Sequence, residues 1–170
     1  MGVSATGKTS VAKALSAELR VEFIEGDDLH PPENLAKMSA GEPLTDDDRL
    51  PWLQAIAEVI AQRSAAGTPT IVTCSALRRT YRDLLRGGAP ALFFLHLHAD
   101  FEVLLSRMGE RTKHFMPTSL LQSQFDTLEP LEPDELGAVI DVAPPLDDVV
   151  AAALKKVRPY LPSCQNREGL

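Results

Sequence analysis

Apolar positions along the chain fall into two kinds of run, one at helical spacing and one continuous, and the two kinds alternate. Lys8 to Leu19 carries Val11, Leu15 and Leu19 on one stripe, which predicts a helix. Val21 to Ile24 follows as a short strand. Pro31-Pro32-Glu33 opens a second helix that Gly41 can close, since proline suits a first turn and glycine a C-terminal cap. Thr45 ahead of Asp46, Asp47 and Asp48 is an N-cap with acids in the first turn, and Trp52, Leu53, Ile56, Val59 and Ile60 continue that helix. Beyond it the pattern predicts a strand at Thr70 to Cys74, a basic helix at about Arg78 to Arg86 and a strand at Ala91 to His98. A helix at Asp100 to Met108, a loop over 109–117, a helix at Thr118 to Leu128, a strand at Ala138 to Val142 and a helix at Leu146 to Val157 complete the series. Continuous apolar strands alternating with helices indicate a parallel sheet covered on both faces, so the class is α/β.

Composition narrows this to one domain, expected over 1–161, with 162–170 as a flexible tail. The 24 acidic residues outnumber the 17 basic ones, for a formal net charge of -7. Such a balance argues against nucleic acid or an anionic membrane as partner, while leaving room for a local anion site. No apolar run reaches the ~20 residues of a membrane span, and no signal-peptide pattern opens the chain. Cys74 and Cys164 make neither a disulfide framework nor a metal cluster, and the expected compartment is the reducing cytoplasm.

Gly2-Val3-Ser4-Ala5-Thr6-Gly7-Lys8-Thr9 fits the phosphate-loop pattern G-x-x-x-x-G-K-[ST]. Its glycines allow a path on which backbone N–H groups face phosphate oxygens. Lys8 would reach the β and γ phosphates, the Thr9 hydroxyl would sit on Mg²⁺, and the helix N-terminus at Lys8, Thr9 and Ser10 would add its dipole. Such a loop follows a β-strand, yet only Met1 precedes Gly2. The expectation is an upstream segment missing from the numbered chain, rather than a disabled variant.

Glu25-Gly26-Asp27-Asp28-Leu29-His30-Pro31 follows the first visible strand, where ligands bind in parallel sheets. A carboxylate there could accept the proton of an attacking hydroxyl, or simply cap a turn. The P-loop, GDDLHP, Gly41 to Arg49 (GEPLTDDDR), Pro51-Trp52-Leu53, Cys74-Ser75-Ala76-Leu77, Tyr81-Arg82-Asp83, His114-Phe115 and Gln124-Phe125 occur in one order. Together, from Gly2 to about Val150, they resemble the gluconokinase family. The resemblance implies a nucleoside-monophosphate-kinase-like three-layer fold with a mobile lid at about 108–128. It also implies a homodimer and transfer of the ATP γ-phosphate to the 6-hydroxyl of D-gluconate, with Mg²⁺.

By that resemblance Asp27 serves as base or orienting group and His30 lines the acceptor pocket. Arg49, Arg78 and Arg82 hold the substrate carboxylate and hydroxyls, as planar guanidinium forks suit. His114 joins the substrate side, and Arg107 and Arg111 contact phosphate from the lid, with Arg111 counted among the catalytic groups beside Lys8 and Asp27. Asp46 to Asp48 read as capping acids, His96 and His98 as strand polarity, and Cys74 as a small buried residue. Two alternatives stay open: a kinase of another small acceptor such as shikimate or a nucleoside monophosphate, and an inactive nucleotide-binding module. Shikimate kinases carry a triple-glycine segment at the acceptor site, where this chain has only Gly87-Gly88.

Overall fold

The computed structural model describes residues 1–109 and 118–161. Strands β1 (Glu22–Ile24) and β2 (Thr70–Val72) pair in parallel, with Glu22 opposite Thr70. Strands β3 (Phe94–His98) and β4 (Gly137–Asp141) form a second parallel pair, with Phe94 opposite Gly137. Helices α1 (Lys8–Leu19), α2 (Pro32–Ser39), α3 (Asp46–Ala65), α4 (Arg79–Arg86), α5 (Phe101–Gly109), α6 (Thr118–Thr127) and α7 (Leu146–Val157) connect them. The α/β class and its parallel pairing are as the hydrophobic pattern predicts. Of the lid expected at about 108–128, Thr118–Thr127 is α6, while 110–117 lie outside the described residues, as does the expected tail at 162–170.

Two cores lie against the strands. Val11 and Leu15 of α1 pack with Leu97, Leu104, Leu121, Ile140 and Val149. Trp52, Leu53 and Ile56 of α3 pack with Tyr81 and Leu85 of α4, Cys74 and Phe94. Strand β3 serves both, giving Leu97 to one core and Phe94 to the other. Each such side chain, taken from water, contributes roughly 1.5–3 kcal/mol.

Met1 and Gly2 stitch the two strand pairs together. The Met1 nitrogen donates to the Leu95 carbonyl at 2.5 Å, and Leu97 N–H donates back to the Met1 carbonyl at 2.9 Å. That is the alternation of a parallel ladder, with Met1 in register beside His96. On the other side Gly2 N–H donates to the Ser75 carbonyl at 3.1 Å. Between the pairs runs an apolar cavity of about 410 Å³, lined by Ile71, Val72 and Cys74 on one wall and Phe94, Leu95 and Leu97 on the other.

Helix ends follow their sequence signals. Thr45 and Asp48 form a reciprocal capping box at the start of α3. Gly41, at φ 76°, ends α2: its N–H bonds the Met38 carbonyl and that of Glu42 bonds Lys37, the two bonds of a Schellman turn. Strand ends are shorter than the apolar runs. Ala91 to His98 narrows to Phe94–His98 because pairing begins only where Gly137 comes alongside. Strand β2 stops at Val72, and the next residue turns its hydroxyl to the chain end of β1.

Candidate active site

The phosphate loop bends where its composition allows. Gly2 stands at φ 136° and Gly7 at φ 80°; a Cβ on Gly2 would sit 2.4 Å from the Leu97 carbonyl oxygen. Ala5 also takes a left-handed φ of 63°, an uncommon conformation for a residue with a side chain. The buried Thr6 hydroxyl donates to the Val3 carbonyl at 2.9 Å and closes the curve. Lys8, at the first position of α1, lays its Nζ on the Gly2 and Val3 carbonyls, each at 3.0 Å. Ser4 N–H donates to Oε1 of Gln124 on α6 at 2.6 Å. Thr9 and Ser10 open α1 on its exposed side.

Glu25, at the end of β1, was not singled out by sequence reasoning, although it opens the acidic block there. One of its oxygens accepts the Thr9 hydroxyl at 2.7 Å and the other accepts the Thr73 hydroxyl. Thr73 Oγ1 in turn accepts Gly26 N–H at 3.0 Å. Gly26 is required at this crossing, since a Cβ would lie 1.9 Å from the Thr73 carbonyl oxygen. A hydroxyl and a carboxylate meeting beside the phosphate loop are the oxygen donors a hard divalent cation takes. Among the described residues no group of three or more His, Cys, Asp and Glu gathers as a metal site, His96 and His98 included.

Next to the loop is a cavity of about 110 Å³, lined by Ser4 and Lys8 on the loop side and by Asp27, His30, Arg49 and Gln124 across from it. The turn Gly26–Leu29 carries the exposed Asp27. His30 stacks on Trp52, with ring centroids 4.1 Å apart and planes 13° from parallel. Trp52 Nε1 is fixed by the Gly26 carbonyl at 2.7 Å. Asn34 Nδ2 donates to the Asp48 carbonyl at 2.8 Å, which identifies it as the amino end, so its 3.3 Å contact makes His30 Nδ1 the acceptor. The His30 proton then sits on Nε2. Burial lowers the pKa of this imidazole, against the opposing pull of Asp27, and Arg49 adds to the lowering.

Arg49 is half of a cluster that sequence reasoning did not assemble. Its Nη1 lies 3.4 Å from Tyr81 Oη, Tyr81 donates to Asp46 Oδ1 at 2.5 Å, and Arg78 donates to Asp46 Oδ2 at 2.5 Å. Asp46 is therefore more than a capping acid. Asp48 does cap, and its bonds from Lys37 and Thr45 hold its pKa down to about 2. Arg78 pairs with Asp46 and is not among the residues lining the cavity.

Arg82 must be withdrawn from the substrate-binding set. Its side chain is wholly buried, with Nε and Nη2 on the Glu135 carboxylate at 2.6 and 2.7 Å. Its guanidinium also donates to the carbonyls of Glu129 and Pro130, at 3.0 Å each, and to those of Ala76 and Leu77, at 3.4 Å each. A guanidinium so surrounded is a structural tie between α4 and the segment before β4. Arg107 bonds the Val142 carbonyl at 2.5 Å, which holds α5 to the turn after β4. Arg111 and His114 lie outside the described residues. Cys74 is buried and its thiol is pushed up to about 12 by burial, so it is no nucleophile.

A phosphate loop at the chain ends of parallel strands, helices on both faces and a cavity beside the loop lysine define a P-loop kinase. The APS kinase of Mycobacterium tuberculosis shares the fold, with a TM-score of 0.66 at 14% identity over 93% of this chain and 94% of that one. A family model described as an AAA domain matches residues 1–131. The thermoresistant gluconokinase of Escherichia coli (strain K12) is 43% identical over 159 residues, 93% of this chain and 91% of that protein. A gluconokinase structure from Sinorhizobium meliloti 1021 superposes with a TM-score of 0.87 at 51% identity, over 95% of this chain and 90% of that one. The chain belongs to the gluconokinase family. No helix among the described residues is long and apolar enough to cross a membrane.

Proposed function

We propose that this chain transfers the γ-phosphoryl group of ATP to the 6-hydroxyl of D-gluconate, giving ADP and 6-phospho-D-gluconate. The observation that carries the proposal is the single cavity bounded by Lys8 of the phosphate loop and by Asp27, His30 and Arg49 opposite. Loop N–H groups and Lys8 hold the phosphates, which requires Lys8 to leave the Gly2 and Val3 carbonyls for them. Arg49, with Tyr81 and Asp46 behind it, binds the gluconate carboxylate as a preset fork. His30 Nε2–H donates to a sugar hydroxyl. Asp27 orients the 6-hydroxyl and accepts its proton as that oxygen bonds to phosphorus and the bond to the ADP oxygen breaks.

Thr9 and Glu25 are the residues that would hold Mg²⁺, directly or through water. Bound there, the ion supplies charge neutralisation at the β and γ phosphates. On the family resemblance alone we assign Arg111 to the transferring phosphate, His114 to the substrate side and a homodimer to the assembly.

A coupled ADP-release assay with gluconate, other sugar acids, shikimate and nucleoside monophosphates tests the reading. Selective turnover of gluconate is the expected result, and turnover of a different acceptor in its place would reject it. Asp27→Asn should lower kcat by about 10²–10⁴-fold while leaving the melting curve in place. Near-normal kcat in that variant would remove Asp27 from its role.

A further inference from the structure

The hydrogen bond from Ser4 N–H to Gln124 Oε1 occupies a donor in the middle of the phosphate loop with a side chain from 120 residues away. The two atoms stand 2.6 Å apart, and Gln124 also lines the acceptor cavity with Asp27, His30 and Arg49. The Lys8 bonds to the loop's own Gly2 and Val3 carbonyls belong to the same self-satisfied arrangement. One N–H cannot serve the amide and a phosphate oxygen equally well. We propose that Gln124 is a specificity and coupling residue: nucleotide phosphate displaces its carbonyl from Ser4, and the released amide turns into the cavity to hydrogen-bond the polyol acceptor.

The exchange has a favourable direction. A phosphate oxygen is charged, and a charge-assisted hydrogen bond is roughly twice as strong as the neutral amide bond it replaces. The amide then has both a donor and an acceptor to offer hydroxyl groups, which suits a polyol better than a planar aromatic or purely anionic acceptor. Coupling follows by linkage. An acceptor that engages the displaced Gln124 raises nucleotide affinity by the same factor by which nucleotide raises acceptor affinity. One neutral hydrogen bond supplies about a two- to tenfold factor. This inference rests on the acceptor reading above.

Calorimetric titration of a non-hydrolysable ATP analogue with Mg²⁺, with and without gluconate, tests it in wild type, Gln124→Leu and Gln124→Glu. Wild type should bind the analogue about two- to tenfold more tightly when gluconate is present. Without gluconate, Gln124→Leu should bind the analogue more tightly than wild type, since the competitor is gone, and gluconate should then add nothing. Its gluconate KM should rise by a similar factor, with kcat less affected. Gln124→Glu keeps the acceptor atom and adds like charge, so it should bind the analogue more weakly than wild type. Equal analogue affinity in all three proteins, with thermal melts unchanged, overturns the displacement. Coupling by gluconate that survives in Gln124→Leu overturns the role in acceptor binding, as does its absence in wild type that turns over gluconate. Should wild type phosphorylate no gluconate, the activity reading fails by itself, and the analogue titrations without gluconate still decide the displacement.

Discussion

His96 shows how a single position can work against the fold around it. It is 5% exposed on β3, and neither ring nitrogen has a hydrogen-bond partner among the described residues. A buried polar group without a partner costs about 1–3 kcal/mol. Burial, reinforced by nearby positive charge, pushes its pKa down from 6.5 to about 4. The folded protein therefore binds this proton less tightly than the unfolded chain does. The stability at stake is fully present above pH 6.5 and is lost as pH falls towards 4. His96→Leu should raise stability by about 1–2 kcal/mol at pH 7, or about 2–4 °C in Tm per kcal/mol. It should also flatten the acid-side decline, and thermal melts from pH 7 to 4 would reveal both effects. A variant that melts lower than wild type at pH 7 would contradict the assigned cost. Alternation in sequence puts His96 and His98 on one face, but only the second emerges at the strand end, a difference that depends on what packs over each. Arg82 was illegible for a similar reason: its partner Glu135 is 53 residues away, and a basic helix looks the same in sequence whether its face is solvated or paired.

At the scale of elements, the legible parts are those set by local chemistry. Thr45-x-x-Asp48, the Gly41 turn and the prolines at the start of α2 mark helix ends within a residue or two of where they fall, because caps act over four residues. Strand limits were overrun because they depend on the partner strand's position. The proposed acceptor side of the site hangs on two capped helices. Asp48 closes the α3 cap, bonds Lys37 of α2, and its carbonyl fixes the Asn34 amide that holds His30. Arg49 is the next residue along. Loosening this cap should therefore reach the pocket as well as the helix. Thr45→Ala is expected to cost about 1 kcal/mol of stability. It should raise the gluconate KM while leaving the affinity for an ATP analogue unchanged, because the phosphate loop makes none of these contacts. Urea melts and steady-state kinetics would check the two effects, and a loss of analogue affinity equal to the rise in KM would mean that the damage is general.

For the whole molecule, the α/β class followed from alternating helices and apolar strands, and the family from ordered motifs, and the seam between the two strand pairs lies where the phosphate-loop pattern calls for a strand ahead of Gly2. Two separate strand pairs flank an apolar cavity, and the residues that join them are Met1 and Gly2, at the start of the phosphate loop. Met1 lies on β3, Gly2 reaches the Ser75 carbonyl beyond β2, and Ser4 reaches α6. A ligand held by that loop therefore bears on both halves at once. Binding only to the folded state at 100 times Kd adds about 2.7 kcal/mol. For a chain of this size that is a rise in Tm of about 5–10 °C. Because the seam is shared, the added protection against amide hydrogen exchange should appear in β1 and β2 as well as in β3 and β4. Lys8→Ala should abolish both effects, since it removes the loop's cation without disturbing either core. Protection confined to the loop and α1 in the wild-type protein would instead mean that the two halves answer to the nucleotide separately, and that the stitch made by Met1 and Gly2 carries no mechanical load.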